Sequence, residues 1–123
     1  MANPTTIQTE ALSRLPLRPG PLAVLASLAN GPAAGIAMLD HAERLGAGGA
    51  VLGPGTLYRL LRELSGDGLI ERTAAPSDDD QPADDRRQYY GLTQLGRAVL
   101  EAEADRLRRT LADAGLLPAG PTT

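Results

Sequence analysis

Residues 53–64 read Gly53-Pro54-Gly55-Thr56-Leu57-Tyr58-Arg59-Leu60-Leu61-Arg62-Glu63-Leu64, and this stretch decides the fold. Gly53-Pro54-Gly55 is a turn that runs straight into a helix. Leu57, Leu60, Leu61 and Leu64 recur at helical spacing and form one apolar stripe. Thr56, Arg59, Arg62 and Glu63 therefore lie off that stripe. Gly66 and Gly68 close the helix. One face is built to be buried, and the other carries an aromatic and two guanidinium groups.

Upstream, three further segments read as helical. From residue 6 to 15, Ile7, Ala11, Leu12 and Leu15 recur at helical spacing, and Pro16 stops the run. Pro19 and Pro21 open a second helix. Its Leu22, Val24, Leu25 and Leu28 make it apolar nearly all round, as in a buried helix. Asn30-Gly31-Pro32 ends it. Residues 34–45 form a third pattern, with Ile36, Leu39, Ala42 and Leu45 expected on one face. Gly46, Gly48 and Gly49 break it, and Val51-Leu52 reads as a brief extended piece.

Downstream, Leu69-Ile70-Glu71-Arg72-Thr73 alternates as a short strand does, and residues 88–92 read as a second strand antiparallel to it. The Pro- and Asp-rich stretch 75–85 is the loop between them. Thr93 caps a last helix that runs to about residue 114 before Gly115. The core of the chain is thus three helices, a two-stranded hairpin and a long helix. The expected fold class is mainly α with a small β-hairpin: a winged helix-turn-helix with an added C-terminal helix. The third helix of such a unit fits a DNA major groove about 12 Å wide, and the hairpin reaches the flanking backbone. The expected organisation is an N-terminal extension over 1–18, a winged helix-turn-helix over 19–92, a dimerisation helix over 93–115 and a disordered tail over 116–123.

Composition narrows the function classes. The 123 residues suit one compact domain. There is no Cys, which excludes disulfides and thiolate metal sites and fits a reducing cytosol. All 12 basic residues are Arg, whose planar fork of donors suits phosphate and guanine edges; GC-rich coding would give the same bias. The net charge of -3 is not that of a typical DNA binder. The deficit is local: five Asp and no Arg fall in residues 76–85, which leaves +2 for the remainder. No apolar run approaches the roughly 20 residues of a membrane helix. The N-terminus lacks the basic and apolar regions of a signal peptide, so a cytoplasmic protein is expected, nucleoid-associated when on DNA. With one His and no phosphate-binding glycine loop or metal-ligand spacing, no catalytic constellation is present, and neither cofactor nor metal is expected.

The motifs of this chain resemble those of the PadR family of transcriptional regulators. Gly55 to Leu64, then Gly68-Leu69-Ile70-Glu71, are similar to its recognition helix and first wing strand. Arg86-Arg87-Gln88-Tyr89-Tyr90-Gly91-Leu92-Thr93, followed by Gly96, resembles its second wing strand and the entry to its last helix. Ala29-Asn30-Gly31-Pro32-Ala33-Ala34-Gly35 resembles its turn between helices. Together these pieces span roughly residues 18–112 in the family's order. The resemblance implies a bacterial, dimeric regulator, usually a repressor, that contacts double-stranded DNA through the recognition helix and the wing. Many members release DNA when a small molecule binds, so an effector of unidentified chemistry joins the expected partners. One departure stands out: the family commonly has an aromatic after the glycine that Gly35 matches, and here that residue is Ile36. A second is the absence of Trp, which removes any pocket that clamps flat molecules between tryptophans.

The candidate DNA-binding residues are Gly55, Thr56, Tyr58, Arg59, Arg62, Arg86, Arg87 and Tyr89. Pro54-Gly55-Thr56 starts a helix, whose free N–H groups suit a phosphate, and Thr56 adds a hydroxyl. Tyr58 offers a phenol to phosphate or a base edge, or packs against the wing. Arg59 and Arg62 are three apart and suit the groove, or form a solvated face with Glu63. Arg86 and Arg87 follow a phosphate or probe the minor groove, or pair with Asp84 and Asp85. Tyr89 and Tyr90 point to opposite faces of their strand, one towards the core and one semi-exposed. The Asp run lacks the spacing of a calcium loop and reads as a solvated wing tip that phosphate would repel. For dimerisation, Leu100, Ala104, Leu107, Leu111 and Ala114 follow a 4-3-4-3 seam suited to a partner helix. Leu95, Val99 and Ala102 face the domain, and Leu12 and Leu15 add to the interface. A single stripe packed within one chain is the alternative. The rival function is a winged helix used for protein interaction alone, which the acidic wing favours.

Overall fold

The computed structural model describes residues 3–44, 53–74 and 88–117. Along it run α1 (Pro4–Ser13), α2 (Pro19–Ser27), β1 (Ala33–Ala34), α3 (Gly35–Arg44), α4 (Pro54–Gly66), β2 (Ile70–Thr73), β3 (Tyr89–Leu92) and α5 (Gln94–Asp113). Val51-Leu52, the loop over 75–85, Arg86, Arg87 and the tail from residue 118 lie outside the described residues.

Each helix begins where local chemistry allows it. Asn3 caps α1, its Oδ1 accepting the Thr6 N–H at 2.8 Å. Pro19 and Pro54 stand in the first turns of α2 and α4, where a missing N–H costs nothing. Thr93 caps α5 as expected, its Oγ1 accepting the Gly96 N–H at 3.0 Å.

The helices enclose one core. The α4 stripe of Leu57, Leu60, Leu61 and Leu64 is buried against Val24, Leu25 and Leu28 of the α2 segment and Met38 and Ala42 of α3. Each such large side chain contributes about 1.5–3 kcal/mol by leaving water. Ala11 and Val99 extend this core between α1 and α5. In α3 the inward residues differ from expectation. Met38 and Ala42 are buried, Leu39 is half-buried, and Ile36 is 75% exposed. Four consecutive apolar residues, Ile36 to Leu39, leave helical spacing unable to choose the inner face; packing against α2 and α4 chooses it.

The sheet has three strands in the order β1-β3-β2, one more than the expected hairpin. Both neighbours run antiparallel to β3, with Ala34 opposite Tyr89 on one side and Ile70 opposite Leu92 on the other. Tyr89 and Tyr90 are both half-buried, and of the two it is Tyr90 that packs against the core, as alternation along a strand leads one to expect.

Two contacts lock α5 to the wing. The Thr93 N–H donates to the Leu69 carbonyl at 3.1 Å, and Thr93 Oγ1 donates to the Gly68 carbonyl at 2.6 Å. Gly96 lies so close that a Cβ on it would stand 1.8 Å from the Leu69 oxygen. Only glycine permits that approach. Gly68 itself has φ +77°, which makes the turn from α4 into β2 a glycine position.

Candidate nucleic-acid interface

The helix-turn-helix is α3 and α4, and the start of α4 carries open donors. Gly53 has no side chain with which to cap, and its carbonyl accepts the Leu57 N–H at 2.8 Å. Pro54 has no N–H. The amides of Gly55 and Thr56 therefore precede the first intrahelical bond and have no helical acceptor. The first turns of α1 and α5, by contrast, each have a side-chain cap. Two such amides at the positive end of a 13-residue helix favour an anion. Gly55 is exposed and Thr56 half-buried.

With its leucines turned inward, α4 presents Tyr58, Arg59, Arg62 and Glu63 to solvent. Tyr58 is 64% exposed, so it does not pack as a core residue. Glu63 pairs with Arg18 at 3.5 Å rather than holding Arg62. Among the described residues neither Arg59 nor Arg62 has an ion-pair partner. An exposed pair such as Arg18–Glu63 contributes at most about 1 kcal/mol. Its effect here is to occupy the one acid on this face and leave both guanidinium groups available.

On the wing, Tyr89 stands opposite Thr73, and Tyr90 stands opposite Arg72. The Tyr90 hydroxyl donates to Gln88 Oε1 at 3.1 Å. Arg72 is exposed on β2 and adds a cation to the wing that sequence reasoning passed over. Its position in an alternating strand was the available signal.

Residue 24 to residue 102 match the sequence model of the transcriptional regulator PadR-like family. The chain belongs to that family. PadR-like proteins are transcriptional regulators, not enzymes. A search of curated proteins found no match. Among solved structures, RosR of H. salinarum is 26% identical, with 81% of this chain and 79% of that one covered and a TM-score of 0.58. A ZitR variant from Lactococcus lactis is 22% identical, covering 84% of this chain and 61% of that one, with a TM-score of 0.61. A PadR family transcription regulator from Clostridium difficile R20291 is 20% identical, covering 79% and 97%, with a TM-score of 0.60. The last two bear on the winged-helix fold alone.

This PadR-like chain carries a long last helix. At 20 residues it spans about 30 Å. Gly96, Val99 and Glu103 are its buried residues. Leu100 and Leu15 lean on the chain's own core, Leu107 is half-buried, and Ala104, Leu12 and Leu111 are exposed. All residues from 108 to 117 are exposed.

Sequence reasoning missed Glu103. It is fully buried, and its Oε2 accepts the Leu17 N–H at 2.6 Å while its Oε1 accepts the Arg106 guanidinium. The bond to Arg106, helped by the Leu17 amide, holds its pKa below the ordinary carboxylate value, although burial works the other way. Arg106 is raised in turn by the same bond. The available signal was its spacing on the inner face, seven residues after Gly96 and four after Val99.

No helix among the described residues is long and apolar enough to cross a membrane. Nor do three metal-ligating side chains come together among them.

Proposed function

We propose that this chain is a cytoplasmic repressor that binds an inverted-repeat operator in duplex DNA as a homodimer. In this reading residues 19–92 read DNA, the helix over 93–115 joins two copies, and the extension over 1–18 supports that helix. The observation that carries it is the outer face of α4: Arg59 and Arg62 without ion-pair partners among the described residues, beside Tyr58 and two open helix-start amides. Arg forks suit phosphate and guanine, and open amides suit phosphate. Gly55, Thr56, Tyr58, Arg59 and Arg62 then act from α4, and Tyr89, Arg86 and Arg87 act from the wing.

The exposed second half of α5 supports the dimer. An isolated helix end of this length gains little by itself, and Leu107 and Leu111 gain by meeting a second copy. A two-fold dimer presents two recognition helices and so calls for a two-fold operator. A groove of about 350 Å³ between α1 and the start of α5, lined in part by Ile7, Gln8, Arg97 and Glu101, offers a small-molecule effector a site.

Footprinting on the promoter of the chain's own operon tests the reading. Protection of two half-sites one or two helical turns apart is expected. A single asymmetric half-site contradicts the two-fold arrangement. The formal charge of -3 favours protein interaction as the second reading, and it gains ground if no protection appears.

A further inference from the structure

The outer side of α5 carries an ordered pattern that the chain's own core does not use. Gly96, Val99 and Glu103 face the core. Leu100 and Leu107 are half-buried at the edge of that face, and Ala104 and Leu111 beside them are exposed. On a helix of about 3.6 residues per turn these four form one apolar seam. One flank of the seam is Glu103, already engaged by Leu17 and Arg106 of its own chain. The other flank is Glu101 and Arg108, both exposed and two turns apart, hence on one line about 10 Å long. Among the described residues Glu101 has no ion-pair partner. Arg97, one turn before it, donates to the Ala29 carbonyl at 3.1 Å instead. Arg108 reaches Asp105 at 3.6 Å, and Asp105 holds Arg109 more closely, at 3.2 Å.

A flank with an acid at one end and a cation at the other is complementary to itself only when reversed. Laid antiparallel, a second copy of α5 sets its Leu111 against Leu100 and its Leu107 against Ala104, large against small at the centre. Its Arg108 then faces Glu101 and its Glu101 faces Arg108, so that the same pair forms twice about a two-fold axis. Laid parallel, Ala104 would meet Ala104, and the flanking charges would lie towards Gly96 and Glu103, which face the core. We propose that two copies of α5 pair antiparallel, held in register by reciprocal Glu101–Arg108 ion pairs, and that these pairs make the chain select its own copy as partner. This inference rests on the dimer reading above and adds to it an orientation and the residues that choose the partner.

The test is sedimentation equilibrium of the full-length protein, of Glu101→Arg, of Arg108→Glu, and of an equimolar mixture of the two variants. Each variant alone sets like charges together at both ends of the seam. Its dimer should dissociate about tenfold more readily than the parent's, with an unchanged helical circular dichroism spectrum. In the mixture every facing pair is again opposite in charge, and association should return to within about threefold of the parent's. A change confined to one chain's own fold cannot give that rescue, because each variant still carries its substitution. Variants that dimerise as the parent does, or a mixture that associates no more tightly than either variant alone, overturn the pairing and leave the dimer reading standing. A parent that stays monomeric leaves the seam to another protein and overturns both.

Discussion

The Leu17 N–H donates to Glu103 Oε2 at 2.6 Å, joining the linker between α1 and α2 to the middle of α5 across 86 positions of sequence. The carboxylate is buried, and its other oxygen takes the Arg106 guanidinium. Removing a partner from a buried bond costs more than the bond contributes, because the remaining group stays desolvated. Glu103→Ala leaves the Leu17 amide without its acceptor and should destabilise the chain by about 2–3 kcal/mol. Glu103→Gln keeps an acceptor for that amide and loses the charge facing Arg106; its cost should be about 1 kcal/mol. Urea unfolding of the three proteins checks the order. Equal stability of all three would show that the bond carries nothing.

The same residue predicts a pH dependence. Its pKa is lowered in the folded chain, so its contribution is complete above the ordinary value of about 4.3. The contribution is lost as pH falls below that value towards the lowered folded one. The stability gap between parent and Glu103→Gln should be constant near neutral pH and close in acid. A gap that widens in acid would contradict the sign.

Gly96 is where α5 meets the turn before β2. A methyl there would overlap the Leu69 carbonyl, which is backbone and cannot swing aside. Gly96→Ala should therefore cost about 3 kcal/mol or more, at the upper end of overpacking effects. It should do so although alanine is the better helix former by about 1 kcal/mol. A melting temperature equal to or above the parent's would show that α5 shifts without penalty.

For the proposed dimer, Leu107→Asp is the discriminating change. A carboxylate buried against a second copy costs several kcal/mol, enough to raise the dissociation constant about a thousandfold. Sedimentation should show monomers that retain a helical circular dichroism spectrum, since Leu107 is only half-buried in the single chain. An unchanged dimer would move the interface off this seam.

Much of the fold was legible because its signals are local. The α4 stripe, the Thr93 cap and the turns at Gly31, Gly68 and Gly115 announce themselves within a few residues, and these stand where the spacing puts them. What escaped reading is set by distant partners. Ala33 and Ala34 carry no strand preference; they become β1 because the edge of β3 needs pairing. Ile36 looked like a core residue because its neighbours are also apolar. Glu103 drew no reading at all, because its partner amide lies 86 positions away. In the candidate site, Tyr58, Arg59 and Arg62 were recognisable from the helix face that excludes the leucines. The engagement of Glu63 by Arg18 was not, since it joins α4 to the residue before α2.

The central claim is that α4 meets DNA through its outer face. Fluorescence anisotropy titrations of a labelled duplex across salt concentrations, with the parent, Arg59→Ala and Tyr58→Ala, test it most directly. Each contacted phosphate adds a slope of about -0.9 to the dependence of log affinity on log salt. The parent should show a steep slope. If Arg59 touches phosphate, Arg59→Ala should bind all sequences more weakly with a slope shallower by about one unit; if it reads guanine, the loss should be about 1–3 kcal/mol at one position. Tyr58→Ala should weaken binding too. Variants that bind as the parent does, together with a parent whose binding is independent of salt, would contradict the account.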